Sequence, residues 1–442
     1  MTEFGNSRIS VDTQGGGIGA LNLDATEKLV IFGRADVQNG SVSANDPTRV
    51  TSASQLEPTF GDSRLSDAMR DAAGNGQSFD AMFGVVPVQE QISGESVSGG
   101  TGQLVDAAGD PTPVIEDVSL TSVQNTTAGQ SESVVFQYED PIDTSSLGAD
   151  EVAINPDTGT VAAGDTDDYE IDYEYLEWAD AFDAASQVIL PQESGQWAVL
   201  SDTDSVIGDA VAAAAPLREN QFKMIRVLGG ATPNATASDG EPKIDPATYS
   251  DSVADESAFL FGPIREVGDP PETALGAIGG AMSSVSISDS ILGESVTNVD
   301  GLAQQMPVPV QEDLKDINVI PVSDFGAPAI EGNVSTANSG RRQTFFTRRL
   351  ADRLILAARA IGRSARGDVA NNNTASVVQT RLNDELTELA ADGLLESDAD
   401  EGQSFFASAT ADPTDPKRLL VNFGFTPEGI TDTVEFSATI DT

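Results

Sequence analysis

The residues most able to do chemistry here are arginines. Eight of them stand between Arg341 and Arg366, in RRQTFFTRRLADRLILAARAIGRSAR, and only Asp352 opposes them there. A guanidinium group forms paired hydrogen bonds to carboxylates and desolvates more readily than an ammonium group, so such a segment fits an acidic surface. The rest of the chain is strongly acidic: 71 Asp and Glu against 23 Lys and Arg, a formal net charge of -48. That field repels phosphate, so nucleic acid is not an expected partner. The 442 residues contain no Cys and no His, which excludes thiol nucleophiles, disulfides, Cys/His zinc sites and Ser-His-Asp triads. Carboxylate pairs, as in a glycosidase, and Ser-Lys chemistry stay open, but no local signature supports either. Acid runs such as DTDDYEIDYEYLEWADAFD from Asp165 recur along the chain, and none follows the twelve-residue calcium loop with its central Gly. The expectation is a protein that is not an enzyme and that uses no cofactor and no metal.

The elements that must carry these residues follow from periodicity. The length points to about three domains. Residues 1–25 read as an arm. Ile9 and Val11 alternate with polar neighbours in a short strand, and QGGGIGAL follows as a flexible run that lacks the strand-and-helix setting of a dinucleotide fingerprint. Residues 26–92 show a β-α-β pattern: the strand EKLVIFGRAD, a short helix opened by Ser52 or Ser54 and ended before Gly61, and a helix with Leu65, Ala68, Met69 and Ala72 on one face and Gly74 as its stop. The strand FDAMFGVVPVQEQ closes the pattern. From 93 to 175 short alternating stretches with Gly, Thr, Ser and Asp turns predict a small all-β domain, with strands in PVIEDVSLTSV, ESVVFQYED, DEVAINPDTGTVAAG and DYEIDYEYLEW. NPDTGT is its clearest hairpin turn, and Tyr169, Ile171, Tyr173 and Tyr175 share one face. Residues 176–330 return to α/β, with QWAVLSD, DSVIGDAVAAAAPLREN, FKMIRVLGG and INVIPVSDFG as strand, helix, strand and strand; the Gly- and Ser-rich stretch 267–309 gives no placeable element.

The C-terminal part, 331–430, predicts two helices and a hairpin. On a helical wheel Phe346, Leu350, Leu354, Ala357 and Ile361 form a core stripe. Arg348, Arg349, Arg353, Arg359, Arg363 and Arg366 fill the neighbouring arc, with Leu356 inside it and Ile355 at its edge. The arc reads either as a solvated face paired to the protein's own acids or as a docking face for another acidic subunit. A second helix carries Val378, Leu382, Leu386 and Leu389 on one face and Gly393 beyond it. SFFASAT and RLLVNFGF pair as a hairpin, and residues 431–442 form a last strand with Val434, Phe436, Ala438 and Ile440 on one side. The N-terminus has no apolar signal core and no stretch is long enough to cross a bilayer, which predicts a soluble protein made in the cytoplasm, without membrane insertion.

Taken in order, these pieces resemble the sheath proteins of contractile phage tails and related contractile injection systems. The similar stretches are LVIFGRADVQNGSVSANDPTRVTSASQLEPTFGDSRLSDAMRDAAGNG, AINPDTGTVAAGDTDDYEIDYEYLEW, the arginine helix, the helix closing at DGLL, SFF, and the final hairpin and strand. The resemblance implies a multidomain α+β and α/β fold: a tail-sheath-like core, an inserted all-β domain, and terminal strand arms. It implies a structural subunit that stacks as homo-oligomeric rings around an inner tail tube protein, meets baseplate and terminator proteins, and contracts to drive the tube through a cell envelope. It places the chain in a virion tail assembled in the host cytoplasm, or in a cytoplasmic particle of a cellular injection system. It implies that the strands of Ile9 and Val11 and of Val434, Phe436, Ala438 and Ile440 add to sheets of neighbouring subunits, and that the arginine helix faces the tube or an adjacent subunit. The charge points to a halophile or a haloarchaeal virus. The rival from another class is a halophilic surface-layer or adhesin-type protein, with Asn125 of NTT as a glycosylation acceptor.

Self-repulsion among 71 acids opposes compaction, and the Debye length shrinks to about 3 Å at 1 M salt. The thermal unfolding midpoint should therefore rise markedly between low and molar NaCl; a midpoint independent of salt would show that repulsion does not limit stability.

Overall fold

The computed structural model describes residues 27–36, 39–137, 142–148, 150–156, 158–191, 193–201, 203–231, 235–236, 242–243, 253–264, 266, 273–285, 290–299, 301–302, 308–324, 328–337, 344–364, 371–395, 405–414 and 419–425. The arms predicted at 1–25 and 431–442, with Ile9, Val11, Val434, Phe436, Ala438 and Ile440, lie outside these residues, as does Arg366. The chain divides into two compact units, and residues 345–442 belong to the first of them.

The second unit starts with β1 (Lys28–Phe32), β2 (Thr48–Arg49), α1 (Leu56–Phe60), α2 (Arg64–Gly74) and β3 (Met82–Val85). β1 and β3 run parallel across α2, the predicted β-α-β unit. Ser63 caps α2, its hydroxyl accepting from the Ser66 N–H, and Leu65, Ala68, Met69 and Ala72 are buried. The helix ends at Gly74, the predicted stop. The left-handed backbone that ends the turn falls at Gly76 (φ 99°), two residues beyond it.

The chain then leaves for a seven-stranded sheet: β4 (Val88–Val97), β5 (Thr101–Gln103), β6 (Ser122–Asn125), β7 (Gln130–Phe136), β8 (Glu151–Ile154), β9 (Thr160–Ala163) and β10 (Tyr169–Glu177), in the order β4-β10-β6-β7-β8-β9-β5. Tyr169, Ile171, Tyr173 and Tyr175 all point into its core with Val97, Leu104, Val123, Val152 and Val161. The NPDTGT turn joins β8 to β9 as expected, with Gly159 in the left-handed region (φ 70°). A bulge breaks the β4–β10 register between Ile171 and Tyr173. PVIEDVSLTSV is strand only from Ser122 onward. The residues before it form a loop, in which the Leu120 N–H donates to the Asp117 carbonyl (2.9 Å), and the side chains of Glu116 and Asp117 take part in ion pairs.

Return to the α/β domain brings α3 (Ala179–Ala185), β11 (Ser194–Val199), α4 (Asp204–Gln221), β12 (Met224–Gly230), the short strands β13 (Ala235–Thr236) and β14 (Pro242–Lys243), β15 (Ala258–Gly262), α5 (Leu275–Ser284), α6 (Val308–Asp316), β16 (Val319–Asp324) and β17 (Pro328–Ile330). The eight-stranded sheet has the order β17-β16-β15-β12-β11-β1-β3-β2. Its inner pairs are parallel, while β2 and β17 run antiparallel at the edges. One face packs on α3, α4 and α6 through Phe32, Phe182, Trp197, Ile207, Leu260 and Leu314.

The other face explains α5, the helix that the sequence analysis left unplaced. Residues 275–283 of LGAIGGAMSS are all buried. A helix buried on every side has no polar face, so no amphipathic period marks it. Its glycines are there for contact. A Cβ at Gly276 or Gly280 would overlap the backbone of Ala68 or Ala72 in α2, whereas one at Gly279 would meet only side chains, Leu29 at 3.2 Å and Ala198 at 3.5 Å. Gly280→Ala should therefore lower stability by about 1–3 kcal/mol through overpacking, and Gly279→Ala should cost much less, since it gains helix propensity of about 1 kcal/mol. Denaturant unfolding of the two variants measures the difference; equal losses would refute the close helix–helix contact.

Candidate assembly interface

The first unit presents the arginine helix, α7 (Phe345–Ser364), with α8 (Asn372–Ala391) and a hairpin of β18 (Phe405–Ala411) and β19 (Leu419–Phe425). Asn371 opens α8, its side-chain oxygen accepting from the N–H groups of Asn373 (2.9 Å) and Thr374 (3.0 Å). Gly393 closes the turn with φ 75°. Phe346, Leu350, Leu354 and Ala358 of α7 meet Val378, Leu382, Leu386 and Leu389 of α8 and Ala407, Ala409 and Val421 of the hairpin in one core, with Ile361 at its margin.

The arginines are placed differently from a simple solvated face. Every described residue from Phe345 to Gly362 is buried or half-buried. Arg348 donates to Asp352 Oδ1 from Nε (2.9 Å) and Nη2 (2.6 Å), and Asp352 is itself buried. Arg349 is buried with its guanidinium 5.5 Å from the centre of the Phe345 ring. Arg353 Nε lies 3.7 Å from Glu385 Oε1 on α8, an ion pair rather than a hydrogen bond. Leu356, expected to be an apolar side chain awaiting a partner, is 5% exposed within the chain, and Arg359 is half-buried. The Arg363 side chain lies outside what is described. The sequence analysis missed Glu385. Its position beside the Leu382–Leu386–Leu389 stripe, at the edge of the buried face, is the signal that marks it.

The hairpin pairs Phe405 with Phe425 through Ala411 with Leu419 and forms a two-stranded sheet among the described residues. Phe406 stands opposite Gly424 and covers it, which compensates for the missing side chain on that face. Phe406 is nonetheless 45% exposed.

Among the described residues no group of His, Cys, Asp and Glu could hold a metal ion, and no helix is long and apolar enough to cross a membrane. Asn125, the glycosylation acceptor of the rival reading, is 2% exposed. Its amide donates to Asp167 (2.9 Å) and its oxygen accepts from the Ala128 N–H (2.7 Å), so it is not available for a glycan.

No family model and no curated protein matches the sequence. Solved structures do match the fold. A chain of the anti-feeding prophage helical sheath in its contracted state aligns over 100% of this chain and 98% of its own, with a TM-score of 0.56 at 13% identity. A chain of the anti-feeding prophage baseplate gives 100%, 98%, 0.57 and 13% by the same measures. The sheath tail protein of Desulfitobacterium hafniense covers 93% of this chain and 99% of its own, at a TM-score of 0.50 and 11% identity. This chain has the fold of a contractile sheath protein. At such low identity the likeness concerns the backbone path and leaves the residue-level contacts of this chain to be argued from its own side chains. The halophile origin rests on charge alone.

Burial raises the Glu385 carboxyl above the ordinary glutamate value of 4.5, with Glu388 adding to the shift and Arg353 opposing it. In that window the folded state binds more protons than the unfolded one, so this residue's contribution favours folding increasingly as pH falls from neutral toward 4.5. The stability of the parent relative to Glu385→Gln, measured by chemical unfolding across pH, should therefore fall on alkalinisation. A pH-independent difference would mean that Glu385 titrates as an exposed glutamate does.

Proposed function

We propose that this chain is the structural subunit of a contractile sheath, one that polymerises around an inner tube in a phage-type tail or a cellular injection particle and shortens to drive the tube forward. The observation that carries this reading is the end-to-end match, covering 100% of this chain and 98% of the other, to a subunit of a helical sheath. Inner tube, baseplate and terminator proteins are its proposed partners, and the particle itself its location. Sheath function requires binding surfaces rather than a catalytic centre, in keeping with a chain that has no Cys and no His.

The strand arms are proposed to link subunits. β18 and β19 together make only a two-stranded sheet among the described residues, and a hairpin of that size gains from further strands. The segments of Ile9 and Val11 and of Val434, Phe436, Ala438 and Ile440 are the candidates to add to such edges in neighbouring copies. Tube docking by α7 is narrowed by burial. Arg349 and Leu356 are enclosed by their own chain, and Arg348 and Arg353 face Asp352 and Glu385. Arg359 is half-buried, so the proposed docking set is the end of the arc, Arg363 and Arg366.

Electron microscopy of the purified protein in molar salt should show striated tubes. Deleting residues 1–14 should leave folded monomers that do not polymerise, and charge reversal of Arg363 and Arg366 to Glu should permit tubes but abolish binding to a tail tube. Persistent monomers of the intact chain at high concentration would overturn the sheath reading; polymers from the truncated chain would overturn strand linkage alone.

A further inference from the structure

The β-rich domain and the α/β domain of the second unit have separate cores. One attachment between them is covalent. β4 and β10 form a two-strand stem whose base pairs Val88 with Glu177, next to β3 on one side and α3 on the other. Trp178, immediately after the stem, stacks on Phe182 at 6.1 Å and so roots it in the α/β core. A stem of two strands can twist, so the angle of the outer domain needs a second attachment.

That attachment lies in the loop that replaced the predicted strand. Asp117 Oδ2 accepts from Arg34 Nη2 at 3.1 Å, and Glu116 Oε2 accepts from Arg64 Nη2 at 3.0 Å. Both sides are pre-set. Asp117 Oδ1 is held by the Ser119 N–H (2.9 Å) and hydroxyl (2.6 Å), which leaves Oδ2 for Arg34. The Ile115 N–H donates to the Glu174 carbonyl (2.8 Å), tying the loop to β10. On the opposite side Arg34 follows β1 and Arg64 opens α2, and the two are joined by the Leu65 N–H donating to the Arg34 carbonyl (3.3 Å). The Ser119 hydrogen bonds, ahead of Arg34 itself and against the effect of burial, keep the Asp117 carboxyl below the usual range and therefore charged. The side chains of the two pairs are 34% and 31%, and 37% and 12%, exposed, so water and ions reach both.

We propose that Arg34–Asp117 and Arg64–Glu116 form a latch that sets the orientation of the inserted β-domain on the α/β domain and can open without unfolding either core. It is an intramolecular docking surface of two cations against two anions, in a chain with 71 Asp and Glu against 23 Lys and Arg. Partly exposed ion pairs are individually weak and screened by salt, so the latch is one that a competing contact can release. The inference is independent of the sheath reading and stands or falls on the monomer.

The absence of Cys makes the test direct. Ser54→Cys in the α/β domain and Ser131→Cys in the β-domain, both exposed positions, take a pair of spin labels in the full chain. Electron–electron resonance should give one narrow distance distribution at low salt. Arg34→Glu with Arg64→Glu should broaden it and raise the population of displaced distances about tenfold, the scale of losing two such pairs. Adding Glu116→Arg and Asp117→Arg to that variant reverses both partners and should restore the narrow distribution. A narrow distribution in the first variant, or broadening that the full charge swap does not repair, would overturn the latch. Unchanged circular dichroism in each variant separates latch opening from misfolding, and a variant that fails that check is replaced by Arg34→Gln with Arg64→Gln, read by the same criterion.

Discussion

The second unit is organised by one constraint: a parallel sheet must be covered on both faces. β1 pairs with β11 on one side and β3 on the other, and β1, β11, β12 and β15 are buried along nearly their whole lengths. Parallel neighbours cannot be joined by tight turns, so each step needs a crossover, and the crossovers supply the covering helices. α3, α4 and α6 take one face. On the other, α2 and α5 lie so close that Gly276 and Gly280 are needed where α5 meets Ala68 and Ala72. The β-domain is inserted between β3 and α3, and its two stem strands are hydrogen-bonded to each other where they leave the sheet. The interruption therefore leaves the parallel order intact.

Charge is handled in two ways. Inside the sheet Arg226 is fully buried in the middle of β12. It donates to Glu27 just before β1, which also accepts from Gln196 of β11 (3.1 Å), so three adjacent segments share one carboxylate. Taking such a pair out of water is costly, and the bonds it makes tie β11 and β12 to the residue that enters β1. In α7 the concentration of arginine is resolved in part within the chain, by Asp352 and Glu385 and by the ring of Phe345. An acidic protein thus spends several of its few cations on internal contacts, and the latch between the β- and α/β domains uses two more.

The buried Tyr stripe of β10 shows the same economy in a neutral setting. Tyr173 is enclosed by the β-domain core, its ring fills apolar space, and its hydroxyl reaches the Val105 carbonyl while accepting from the Val105 N–H (3.0 Å). Burial pushes its phenol up to about 12. The loop after β5 is thereby fastened to the seven-stranded sheet by side chains that strand periodicity had already turned inward.

Residue order alone determined most of the elements, since alternation in YEIDYEY and helical spacing in SRLSDAMRDAAG and SVVQTRLNDELTEL reflect half-buried surfaces whose two sides differ in polarity. It also determined the cation-rich α7 and the acidic character of everything around it. Tertiary structure decided what that local pattern could not carry. LGAIGGAMSS is a helix buried on every side, with Ala68 and Ala72 against it, the carboxylates of the EDVSL loop go to Arg34 and Arg64, and Leu356 is interior although its wheel position is among arginines. In each case the deciding partner is distant in sequence, and periodicity registers the polarity of a face but not the identity of what covers it.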